Sequence, residues 1–251
     1  MAAKQEQQEC ISPFNHETGV YQAWPELISG TLVKRYKRFL ADVMLEDGRT
    51  VTAHCPNSGR MTDCSEPGST VYLSHQDSPR RKLKYTWELI QMPTSLVGIN
   101  TIVPNKLVYH TVQAGLLEPF RGYENIKAEK KIESGSRLDL FLWNEGAERC
   151  FVEIKNCTMV SNGLAAFPDA VTTRGRKHLR ELRELLDSNT RCAMLFLVQR
   201  SDADRFTPAD GVDPKYGTEL RRAVKNGVEI YVYDVDIGVD GIRMNRSIPY
   251  S

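Results

Sequence analysis

SRLDLFLWNEGAERCFVEIKNC, residues 136–157, holds two alternating apolar runs on either side of a polar turn, Asn144 to Glu148. That pattern is a β-hairpin. A turn centred on Gly146 sets Asp139 directly across from Glu153. Side chains alternate along a strand, so Leu138, Leu140, Leu142, Val152 and Ile154 fall on one apolar face. Asp139, Glu153 and Lys155 fall on the other. Opposed residues sit about 5 Å apart at Cβ, where two like charges repel. A divalent cation would neutralise them.

Outward from the hairpin, Tyr123 to Ile132 reads as a preceding strand. Downstream, Leu179, Leu182, Leu185 and Leu186 recur at helical spacing. The first turns of that helix are basic: Arg174, Arg176, Lys177, His178 and Arg180. Cations at a helix N-terminus oppose its dipole, a small penalty that favours a phosphate partner over surface decoration. Asp169 is expected either to cap this helix or to stand behind the site as a supporting acid, with capping the favoured role. An apolar strand, Cys192 to Val198, a loop, Arg205 to Asp213, and a helix opened by Pro214 and stopped by Gly227 follow. A last strand runs from Val228 to Val235. The order from residue 123 is β-β-β-α-β-α-β, an α/β sheet domain.

Upstream lie short strands broken by Gly and Pro turns. Gly30 to Leu45 forms one long strand or two joined at a bend. Thr50 to His54, Thr70 to Ser74 and Tyr85 to Met92 are further strands, with a short helix at Arg60 to Cys64. Such spacing suggests a small closed, OB-like β-barrel. Lys34, Arg35, Lys37 and Arg38, and again Arg80, Arg81, Lys82 and Lys84, are interleaved with Tyr36, Phe39, Tyr85 and Trp87. Cations beside aromatics suit a single-stranded nucleic-acid groove; the alternative is solvated loop charge over core aromatics. Residues 1–25 read as a tail, disordered or lying along the body. The chain divides into that tail, a barrel over 26–95, and a connecting helix (Asn105 to Glu118) with the α/β domain over 96–251. The fold class is mixed α/β.

The formal net charge of +1 leaves any nucleic-acid footprint to local clustering. Six cysteines contain no C-x-x-C pair and are expected as free thiols in a reducing compartment. His54, Cys55, Cys64 and His75 match no standard zinc spacing. The N-terminus has no apolar core of a signal peptide, and no apolar run reaches the ~18 residues of a membrane helix. The expectation is a cytoplasmic protein with no membrane partner.

The chemistry rests on D-(x13)-E-x-K. Two carboxylates can fix Mg2+ or Mn2+ beside a scissile phosphate, and a lysine two residues on can orient or help deprotonate the attacking water. E-x-K alone is common, and its plain alternative is an exposed cross-strand ion pair worth ~0.5 kcal/mol. The Asp-bearing strand before it and the basic helix after it favour the site.

RYKRFLADV (35–43), HCPNSGRM (54–61), SRLD (136–139), VEIK (152–155) and FPDAVTTRGRKHLREL (167–182) together resemble the sugar fermentation stimulation protein A (SfsA) family, from about Gly30 to Pro249. The resemblance implies an OB-like N-terminal domain joined to a PD-(D/E)xK nuclease-like domain, with DNA as partner and no organic cofactor. It implies Asp139 and Glu153 as metal carboxylates and Lys155 as the lysine. Glu129 would be the upstream acid, and Leu138 stands where the motif has Pro. Asn57 in HCPNSGRM joins Arg35, Lys37, Arg38, Arg80, Arg81, Lys82, Arg174, Lys177 and His178 as expected DNA contacts. Two functions fit: a metal-dependent DNA nuclease, or a non-catalytic DNA-binding regulator of sugar-metabolism genes on a nuclease scaffold.

Overall fold

A computed structural model describes residues 19–146 and 148–251. β1 (Gln22–Ala23) leads to β2 (Leu27–Tyr36), β3 (Leu40–Leu45), β4 (Thr50–His54), β5 (Thr70–His75) and β6 (Tyr85–Gln91), with β7 (Leu96–Gly98) beyond. β4-β3-β2-β5-β6 are joined by antiparallel pairings, and β4 returns beside β6 through Ala53 and His54. That last pairing closes a five-stranded OB-like barrel, filled by Leu32, Val43, Leu73, Trp87 and Ile90. The Gly30–Leu45 stretch is two strands, turned at Lys37 and Arg38, whose φ angles are 47° and 64°. The expected helix at 60–64 is a turn instead, because Met61 takes a φ of 54°.

The second domain runs through α1 (Val103–Gln113), a 3-10 turn (Glu118–Phe120), β8 (Asn125–Lys131), β9 (Arg137–Trp143) and β10 (Arg149–Cys157). It continues through β11 (Val160–Ser161), β12 (Leu164–Phe167), α2 (Thr173–Leu185), β13 (Thr190–Val198), β14 (Arg205–Pro208), α3 (Pro214–Lys225), β15 (Glu229–Ile237) and β16 (Gly241–Ser247). The main sheet is ordered β1-β16-β15-β13-β10-β9-β8, with β10, β13 and β15 parallel. Helix α1 covers one face; α2 and α3 cover the other. β13 feeds both layers, Ala193, Leu195 and Leu197 on the α1 side and Cys192, Met194 and Phe196 on the other. A strand covered on both faces reads as one unbroken apolar run.

The hairpin register is centred on Gly146 (φ 70°), with Trp143 opposite Arg149 and Leu140 opposite Val152. The ladder stops at Leu140. There the Asp139 carboxylate takes the Ile154 N–H at 2.7 Å, so a side chain replaces the backbone acceptor. Leu138, expected beside Leu140, packs in the other layer with Phe151 and Leu179.

The end of the expected tail lies along the body: β1 pairs with β16 and Trp24 Nε1 donates to the Gly238 carbonyl at 2.9 Å, while residues 1–18 lie outside the described residues. Two further expectations change. The 205–213 loop begins with β14, which joins β11 and β12 in a small sheet. Thr172, not Asp169, caps α2, accepting the Gly175 N–H at 3.0 Å. Helix α3 starts as expected, with Pro214 in its first turn and Asp213 accepting the Tyr216 N–H. No helix among the described residues is long and apolar enough to cross a membrane.

Candidate active site

Where the barrel meets the α/β domain, a cleft of about 540 Å³ opens over the end of the hairpin. Asp139, Glu153 and Lys155 line it from the sheet, Asn105 from α1, Arg174 from α2, and Arg38 and Asn57 from the barrel. The stretch 166–172, from the end of β12 to the cap of α2, forms one wall. Its Asp169 Oδ2 accepts the barrel's Met61 N–H at 3.0 Å.

Asp139 is held by two donors, the Ile154 N–H and Asn105 Nδ2 at 2.8 Å. Burial, and then the nearby Glu153 charge, push its pKa up to about 6. Glu153 is 2% exposed. Burial opposes its ionisation, but the Lys155 ammonium and His178 outweigh burial and hold its pKa below the ordinary value. Both partners bond Oε1: Lys155 Nζ from the same strand and His178 Nδ1 from α2. Glu153 Oε2 is buried with no hydrogen-bond partner. Arg174 Nε donates to His178 Nε2 at 3.4 Å. A guanidinium can only donate, so Nε2 accepts and Nδ1 carries the proton given to Glu153.

The sequence-derived residues divide sharply. Asp139, Glu153, Lys155, Arg174, Arg38 and Asn57 line the cleft. His178 is buried and serves Glu153 instead of facing solvent. Glu129 does not join the acids: on β8, with φ 50°, its side chain is 68% exposed and pairs with Arg137 at 3.2 Å. Lys177 is outside the cleft, bonded to Ser136 and Glu181. Arg35 donates to four carbonyls, of Asn57, Gly59, Arg60 and Arg38, at 2.8–3.1 Å, and so is a strut. Asn57 is 4% exposed, and its amide shapes its own loop through Gly59 and Ile99. Arg81 bonds Gln76 and Thr86 on another side of the barrel, and neither Arg80 nor Lys82 lines the cleft. Lys37 stands in an adjoining groove. Asn105 goes unmarked in the sequence and capping is favoured for Asp169, since no spacing ties either to partners 34 and 108 residues away.

A divalent cation needs oxygen donors with lone pairs to spare. The unpartnered Glu153 Oε2 and the adjacent Asp139 carboxylate fit that need. Among the described residues, no third acid, His or Cys completes a cluster with them.

The family model "Sugar fermentation stimulation protein RE domain" matches residues 102–241, and "SfsA N-terminal OB domain" matches 33–99. The chain is 50% identical to the sugar fermentation stimulation protein homolog of Geobacter sulfurreducens over 223 residues, 89% of this chain and 95% of that one. With the homolog of Geotalea uraniireducens it shares 49% over 222 residues, 88% and 96% of the two chains. The fold superposes on Pyrococcus furiosus SfsA, solved in complex with Ca2+, with a TM-score of 0.83 at 24% identity, covering 92% of this chain and 98% of that one. Sequence identity, paired domain matches and shared architecture agree: the chain belongs to the sugar fermentation stimulation protein family.

Proposed function

We propose that this is a DNA-binding protein whose α/β domain hydrolyses phosphodiester bonds with Mg2+ or Mn2+. The observation that carries the reading is Glu153: buried, one oxygen clamped by Lys155 and His178, the other unpartnered, with the Asp139 carboxyl close enough to feel its charge. Asp139 and Glu153 would hold the metal. When bound, such an ion neutralises phosphoryl charge and lowers the pKa of a water. The Ca2+ in the Pyrococcus relative supports a divalent ion as the cofactor class.

Each remaining residue then has a definite task. Lys155 Nζ donates to Glu153 Oε1, and its other N–H groups orient the attacking water. Arg174, anchored through Nε, turns its terminal nitrogens to phosphate oxygens as a fork. His178 fixes the Glu153 rotamer, and Asn105 fixes Asp139. Five buried free cysteines, Cys55, Cys64, Cys150, Cys157 and Cys192, suit a reducing, cytoplasmic setting.

Plasmid and single-stranded DNA incubated with Mg2+ or Mn2+ test the reading, alongside Asp139→Asn and Lys155→Ala. Wild type alone should cleave. Equal cleavage by all three would overturn it. The second reading, a DNA-binding regulator without turnover, is favoured by one observation: both Asp139 oxygens already have donors, with Glu129 outside the site. Binding without cleavage in any metal would establish that reading instead.

A further inference from the structure

Beside the cleft lies a second cavity of about 640 Å³, and the two share Arg38, Ser58, Gly59, Ala170 and Val171. Five cations line it, Lys34, Arg35, Lys37, Arg38 and Arg60, with no acid among the lining residues. Arg35 is engaged by carbonyls, and Lys34 lies 3.5 Å from Asp42. Lys37, Arg38 and Arg60 have no carboxylate partner among the described residues. An unpaired cationic lining without acids is the electrostatic footprint of a polyanion.

The cations are also held in place. Arg35 binds the carbonyls of Arg38 on the β2–β3 turn and of Asn57, Gly59 and Arg60 on the loop after β4. One guanidinium therefore sets both segments that carry the free charges. The turn itself keeps Lys37 and Arg38 in the left-handed region, a conformation costly for side-chain-bearing residues and retained where surroundings impose it. Tyr36 adds an aromatic surface, its hydroxyl fixed on Asp42 at 3.1 Å. Val171, 63% exposed, adds an apolar edge where the two cavities meet.

We propose that a single strand of DNA runs from the Asp139–Glu153 cleft past Arg38 into this groove, with phosphates on Lys37 and Arg60 and a base against Tyr36. This deepens the reading of the cleft as a DNA site by naming the substrate form. Tyr36 selects the single strand: an unpaired base can stack on its ring, beside the Lys34 ammonium 5.3 Å from the ring centroid, whereas the bases of a duplex are already stacked on one another.

The test is fluorescence anisotropy in EDTA, with labelled oligo(dT) and a blunt hairpin duplex of equal length, across a salt series. Oligo(dT) should bind more tightly. The Lys37→Ala/Arg60→Ala double variant should lower the slope of log affinity against log salt by about 1.4, two phosphates at about 0.7 each. Lys37→Arg/Arg60→Lys should keep the wild-type slope, with thermal melting checking that each variant is folded. Duplex bound as tightly as single strand, or an unchanged slope in the alanine pair, would overturn the proposal. Without metal the assay is independent of turnover, so a failed cleavage experiment and a failed groove remain separate results.

Discussion

Asp169 Oδ2 accepts the main-chain N–H of Met61 at 3.0 Å, bonding the loop before α2 to the barrel. Gly59 presses on the same carboxylate so closely that a Cβ there would overlap it. This latch sets the width of the cleft. Hydrogen bonds to charged groups contribute about 1.5–3 kcal/mol. Asp169→Ala should therefore lose about 2 kcal/mol in urea denaturation, with Asp169→Asn losing less because an acceptor remains. Gly59→Ala should imitate the alanine variant; wild-type stability in both would contradict the latch.

Stability in the absence of metal should depend on pH through Asp139. Its carboxyl ionises near 3.8 when unfolded and near 6 in the fold. Below about pH 4 both states are protonated and the fold keeps its full stability. As pH rises through 6 the fold must carry a buried charge, and a shift of this size removes roughly 3 kcal/mol. Asp139→Asn carries no such charge; the Asn105 amide can flip to accept from its new N–H. In chelator, the variant should gain on wild type between pH 4 and pH 7. A constant gap would show that Asp139 does not titrate as described.

His178 should act on metal affinity without touching the metal. Partners that orient a ligating group are typically worth 10–100-fold in affinity. Calorimetric titration with Mn2+ should find His178→Ala weaker by a factor in that range. His178→Asn, which can place an N–H where Nδ1 stood, should recover most of it. Equal affinities in wild type and His178→Ala would remove His178 from the site.

The two helices of the outer layer meet at Asp213. Its carboxylate takes the Tyr216 N–H as cap of α3, the Thr172 N–H ahead of α2, and Arg176 at 2.6 Å. It is 2% exposed. Removing one partner of a buried ion pair costs about 3–5 kcal/mol, so Asp213→Ala should lower the urea midpoint by the equivalent of about 3 kcal/mol. A loss under 1 kcal/mol would show these bonds to be replaceable by water.

The hairpin was legible because alternation and a glycine turn fix register together, and any slip would expose Leu140, Leu142 and Val152. The apolar strand β13 was legible for a similar reason. What the sequence hid is where a side chain displaces a backbone group or reaches across the chain. The Asp139–Ile154 bond ends the ladder and sends Leu138 to the other layer. Glu129 reads as an acid two strands from Glu153, but a left-handed φ turns it to Arg137. Arg35 and Arg38 look alike in the basic run, and only carbonyl geometry separates the strut from the free cation.

Leu89, a barrel residue on β6, packs in the same core as Leu107, Leu140 and Leu195, and Gly98 N–H bonds the Gln199 carbonyl at 2.8 Å. The family matches meet near residue 100, yet this shared core runs through the junction. Cutting the chain there would leave each fragment with a raw apolar face and an unpaired strand edge. Two modules recognisable by sequence should therefore melt as one cooperative body, and the cleft that both of them line needs both to be present.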